Sequence, residues 1–100
     1  MNDGLLGMLG LCRRAGRLMA GTEKTKAALK GKKAFLVIIG SDISEKTEKE
    51  MRFFSAGSAQ VLRLNKSTAE LAKALGVNAG VFAVTDKNFA EQIKLKGGTL

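Results

Sequence analysis

The chain has 100 residues, 45% hydrophobic and 26% charged, an ordinary globular composition with room for one domain, 1–100. One cysteine and no histidine exclude an internal disulfide, the usual zinc and transition-metal sites, and every imidazole-dependent triad. The net charge is +8, and no apolar run approaches the ~20 residues of a membrane span.

Leu5, Met8, Leu9 and Cys12 recur at helical spacing and predict an amphipathic first helix ending at Gly16. Gly4, Gly7 and Gly10 form a second stripe, for which close packing against a neighbour is a plausible reason. Leu18-Met19-Ala20 reads as a short strand. Gly21-Thr22 opens a second helix with Thr22 as N-cap, Thr25, Ala28 and Leu29 facing the core, and Gly31 as the stop. The apolar run 34–39 reads as a strand covered on both faces. Ser44 starts a third helix with Thr47, Met51 and Phe54 on its buried stripe and Gly57 as the stop. A strand follows over 60–64. Ser67 and Glu70 have capping-box spacing at the head of a fourth helix that Gly76 closes. The last strand runs over 80–85, and Asp86 caps a final helix. The order αβαβαβαβα, with about four strands, predicts an α/β layer fold whose sheet lies between helices.

Little in the chain suggests catalysis. Cys12 lies on the apolar stripe of the first helix and reads as a buried structural thiol. Glu45, Glu48 and Glu50 read as a solvated face opening a helix, and Asp42 and Asp86 as loop or cap residues. There is no Walker-type loop, and no catalytic residue, metal ligand or cofactor is assigned.

The charge is informative. Arg13, Arg14, Arg17, Lys24, Lys26, Lys30, Lys32 and Lys33 are opposed in their segment only by Glu23, so 13–33 carries +7 of the +8. Such a cluster is an electrostatic footprint for a polyanion, most often nucleic acid; the alternative is a solubilising face. At Gly21 a helix N-terminus offers free N–H groups, beside which Thr22 adds a hydroxyl, Glu23 an acceptor, and Lys24, Lys26 and Lys30 cations on exposed faces. Acceptor, donor and cation together can read base edges as well as phosphates; the alternative is an ordinary capped helix. Tyr and Trp are absent and the five Phe read as core, which favours structured RNA over stacked single strands.

Residues 9–21, Leu-Gly-Leu-Cys-Arg-Arg-Ala-Gly-Arg-Leu-Met-Ala-Gly, resemble the opening of the kink-turn RNA-binding ribosomal protein family, the L-seven-Ae group. The likeness is strongest to its short bacterial YlxQ-like branch. Residues 34–44 resemble the family's central strand and turn, and 71–76 and 83–90 its last loop, strand and helix. The resemblance implies a single-domain three-layer αβα sandwich with a central mixed sheet, bound to a sharply bent RNA. It implies contacts to sheared G·A pairs from a Gly-x-Asn-Glu-x-x-Lys motif, and a hydrophobic loop over a flipped-out nucleotide. Gly21 matches the motif and Thr22 takes its variable position. Glu23, Lys24 and Ala27 stand where the family has Asn, Glu and Lys, and Lys26 is the candidate replacement cation. Val77, Asn78 and Ala79 fall in the hydrophobic loop.

The expected protein is therefore a cytoplasmic, non-catalytic binder of structured RNA, ribosomal or regulatory, monomeric when free. Association with the ribosome or translation factors is expected, and a membrane is not. Its expected RNA-binding residues are Arg17, Gly21, Thr22, Glu23, Lys24, Lys26, Lys30, Val77, Asn78 and Ala79. The Met1 segment shows no basic leader of a signal peptide. Two alternatives stay open: a protein–protein module that kept the fold but lost specific kink-turn recognition, and an enzyme related to RNA-modifying methyltransferases.

Overall fold

A computed structural model describes residues 4–97; the leader expectation at Met1 lies outside them. The elements are α1 (Gly4–Arg14), β1 (Leu18–Ala20), α2 (Thr22–Lys30), β2 (Leu36–Ile39), α3 (Glu45–Ser55), β3 (Gln60–Arg63), α4 (Thr68–Leu75), β4 (Val81–Val84) and α5 (Lys87–Gly97). They follow the predicted order. The strands form one sheet in the order β1-β4-β2-β3, with β2 parallel to β3 and antiparallel to β4. No described helix is long and apolar enough to cross a membrane.

Alternation along β2 and β4 divides the core. Leu36, Ile38, Phe82 and Val84 join Leu9, Cys12, Leu71 and Ile93 from α1, α4 and α5. Val37, Ile39, Val81 and Ala83 pack with Ala28, Leu29 and Met51 from α2 and α3. The central strands are thus buried on both faces, which is why 36–39 is continuously apolar; Phe35, in the expected 34–39 strand, lies outside β2 and is exposed. The result is a three-layer αβα sandwich. Burying each large apolar side chain contributes about 1.5–3 kcal/mol.

Local chemistry sets the helix ends. Ser44 Oγ accepts from Thr47 N at 3.2 Å, and Ser67 with Glu70 forms both bonds of a capping box. Asp86 Oδ1 accepts from Phe89 N at 2.9 Å to start α5. Gly76 ends α4 in the left-handed conformation, φ 72°, which glycine adopts without a Cβ penalty.

Four expectations are corrected. The N-cap of α2 is Gly21, with Thr22 the first helical residue. Among the described residues none approaches the Cβ positions of Gly7 and Gly10, and only Gly4 has a neighbour, the Lys96 side chain at 3.3 Å, so close packing does not account for the stripe. The carboxylates of α3 are not all a solvated face, since Glu48 pairs with Arg52 and Arg63, and Glu50 with Lys26. The phenylalanines are not all core: Phe82 is fully buried, but Phe35 is 42% and Phe53 76% exposed.

Candidate nucleic-acid interface

The sheet brings four connections to one end. β1, β2 and β3 finish there and β4 begins there, as the pairings Ala20↔Phe82, Ile39↔Val81 and Ile39↔Arg63 require. The start of α2, the 40–43 turn, the start of α4 and the 76–80 loop are therefore neighbours. Gly21 N donates to Val81 O at 2.8 Å, Gly40 N to Gly80 O at 2.9 Å, and Ser41 N to Lys66 O at 2.8 Å. Residues 60 positions apart in sequence are fixed side by side by backbone bonds alone.

The start of α2 is open. Gly21 sits at φ 108°, ψ 153°, a conformation that side chains with a Cβ rarely adopt, and it has no side chain to cap the helix. The first intrahelical bond is Thr25 N to Gly21 O at 3.0 Å. The amides of Thr22, Glu23 and Lys24 are thus the orphan donors of the first turn, at the positive end of the helix dipole. Such an end is suited to an anion. The start of α4 is closed by contrast. Beyond its capping box, Asp42 Oδ1 accepts from Thr68 N and Thr68 Oγ1, both at 2.9 Å. Those bonds, Thr68 N foremost, hold the Asp42 carboxyl below its ordinary range.

The candidate residues separate into groups. Gly21, Thr22, Glu23 and Lys24 lie together, with Glu23 and Lys24 exposed. Across the sheet end, Val77 and Ala79 pack half-buried against the α1/α4/α5 core, and only Asn78 is exposed. Lys26 does not lie on an open face. Its Nζ is 2.8 Å from Glu50 and 3.8 Å from Glu23, and 5.8 Å from the centre of the Phe54 ring. The hydrogen bond to Glu50 raises its pKa, which keeps the ammonium charged. Lys30 Nζ lies 5.2 Å from the same ring centre, near the end of α2. Arg17 immediately precedes β1 at the opposite end of the sheet, roughly 13 Å from Gly21 along the strand.

Arg63 was not singled out from the sequence, yet it organises this end. Its Nη1 donates to Ser41 O at 2.8 Å and Gly40 O at 3.2 Å, and its Nη2 to Ile43 O at 3.1 Å and to Glu48. Glu48 also accepts from Arg52 at 2.7 Å. Arg63 first and Arg52 second hold the Glu48 carboxyl below its usual value. One guanidinium on an edge strand thus pins three carbonyls of the 40–43 turn. An arginine within a strand pattern carries no sequence signal for that job. Cys12 is fully buried, and burial, with Asp86 nearby, pushes its thiol up to about 11. It is an inert thiol at neutral pH.

The chain is 33% identical over 98 residues to the RNA-binding protein YlxQ of Enterococcus faecium, covering 94% of this chain and 95% of that protein. Its structure is similar to a protein of unknown function from Bacillus halodurans, with a TM-score of 0.89 and 25% identity over 97% of this chain and 99% of the other. With its residues 4–95 matched by the family model, the chain belongs to the ribosomal protein L7Ae/L30e/S12e/Gadd45 family.

Proposed function

We propose that this protein binds structured RNA of the kink-turn class without catalysis, as a ribosome-associated cytoplasmic protein that is monomeric when free. The observation that carries the reading is the uncapped start of α2, fixed beside the 76–80 loop by the Gly21–Val81 bond. Free amides and Lys24 suit a phosphate there. Glu23 repels phosphate, and suits the interface where it meets base-edge donors such as guanine amino groups. The name of the Enterococcus relative supports RNA as the partner. Lys26, already paired with Glu50, is assigned a supporting role in α2–α3 packing rather than a phosphate contact.

The test is a ratio of dissociation constants at one fixed salt concentration. A kink-turn hairpin is compared with the same hairpin whose G·A pairs are made Watson–Crick. Preference for the kink-turn by about five-fold or more is expected, since a good base contact is worth roughly 1–3 kcal/mol of discrimination. Equal affinities would reduce the function to general RNA binding. No binding to either would favour the protein–protein module.

A further inference from the structure

A second surface lies at the other end of the sheet. Alternation along the strands puts Arg17, Thr85 and Phe35 on the α2 side, with Met19, Ala83 and Val37. One step beyond the paired residues Leu18↔Val84 and Leu36↔Val84, they form a row across β1, β4 and β2. The row is held by its backbone. Thr85 N donates to Arg17 O at 2.9 Å, and Phe35 N donates to Val84 O at 2.8 Å. α2 ends without covering it, leaving Phe35 42% exposed. The row and the side of α2 enclose a groove of about 730 Å³. Ala27, Ala28 and Met19 supply an apolar wall, and Arg17, Lys24 and Lys33 supply three cations. Among the described residues no carboxylate lines it. The three cations are exposed, and none pairs with a described carboxylate.

We infer that this groove holds a nucleotide of single-stranded RNA, its base stacked on Phe35 and its phosphates on Arg17, Lys24 and Lys33. An aromatic or guanidinium plane on a sheet face, ringed by cations, is the chemistry by which unpaired bases are bound. The backbone bonds preorganise the row, so little ordering cost remains. Lys24 belongs both to the groove and to the start of α2. A strand leaving a bent RNA held at Gly21 can therefore follow α2 toward Phe35. The inference rests on the RNA-binding reading above and extends it to the unpaired strand.

The test follows amide and methyl resonances of the full chain during titration with a six-nucleotide oligoadenylate. Met19, Ala28, Phe35 and Thr85 are expected to shift. Phe35→Leu keeps apolar bulk but loses the ring, and should weaken oligoadenylate binding by at least about five-fold, the effect of one base–aromatic stack. Arg17→Ala should weaken it as well. Shifts confined to Thr22 and the 76–80 loop, or none at all, would overturn the groove, whatever a kink-turn hairpin does. A hairpin that fails to bind while oligoadenylate fills the groove would overturn the proposed function and leave this site standing. Equal shifts with hexaglutamate would overturn the assignment to RNA.

Discussion

Lys24 and Lys26 stand two positions apart on α2 and meet different surroundings. Lys24 is exposed beside the first-turn amides; Lys26 lies against α3 between Glu50 and the Phe54 ring. The two alanine substitutions should therefore separate binding from stability. Lys24→Ala is expected to weaken RNA binding and leave stability within about ±0.5 kcal/mol. Lys26→Ala is expected to lower the melting temperature and leave Glu50 unpaired, with little direct loss of RNA contact. Thermal melts and RNA titrations on the two variants decide this, and the reverse pattern would show the assignments exchanged. Glu23 is the third side chain of the turn. Glu23→Gln should lower the kink-turn preference if the carboxylate reads bases. Equal tightening toward both hairpins would make Glu23 only a repulsive neighbour.

Between elements, the tightest point of the interface is Gly80. A Cβ there would lie 2.3 Å from Thr68 Oγ1 and 3.1 Å from Thr68 Cβ. Thr68 cannot yield freely, because Asp42 binds both its N–H and its hydroxyl. Ile43 Cδ1 is 3.0 Å away on another side. Gly80→Ala should therefore cost about 1–3 kcal/mol, the usual range for overpacking. Thr68→Ala removes the nearest atom, so the double variant should be less destabilised than the two single losses added together. Strictly additive losses in denaturant melts would mean that the contact is relieved some other way. The same region shows what local sequence reveals. Ser67 with Glu70 was legible because a capping box is a spacing, and the 36–39 part of the apolar run because burial on both faces leaves it unbroken. Asp42 on Thr68, Arg63 on the 40–43 turn and Lys26 on Glu50 were not legible. Each joins residues that only the sheet order brings together. Gly21 displaced Thr22 as the N-cap because the backbone has to turn at positive φ straight out of β1. Phe35 looked like core because it lies within the apolar run 34–39, but it stands one step beyond the part of the sheet that α2 covers.

For the whole molecule, the titrating groups bound a pH range. Glu48 and Asp42 have lowered pKa values in the folded state. Their bonds therefore contribute fully above the ordinary carboxylate range, and that contribution is lost as pH falls through the lowered values. The Cys12 thiol is raised to about 11, so the buried neutral form favours folding below its ordinary value of 9.0. That contribution is lost as pH rises from there through about 11. With no histidine between these limits, stability should be nearly level from pH 6 to 8. A stability maximum with steep flanks inside that interval, seen in denaturant melts, would contradict the assignment. Native Cys12 should also resist alkylation at pH 8 and react once the chain is unfolded in urea.

The charge asymmetry gives the last whole-molecule expectation. Segment 13–33 carries +7, but its cations are not equivalent once folded. Lys26 is committed to Glu50, and Lys30 rests over Phe54. Lys24, Arg17 and Lys33 are exposed on one side of α2, with Lys32 nearby in the turn that follows. Each phosphate neutralised releases condensed counterion, so log K falls with log salt by about 0.7–0.9 per contact. Four or five contacts give a slope on the order of −3 to −4. Titrations of a kink-turn hairpin at several potassium concentrations measure it. Lys24→Ala should make the slope shallower by about one. Lys26→Ala should leave the slope unchanged, because its charge is already answered within the protein. A flat salt response in the parent chain would remove the electrostatic basis of the interface. An equal change of slope in the two variants would place Lys26 on the RNA after all.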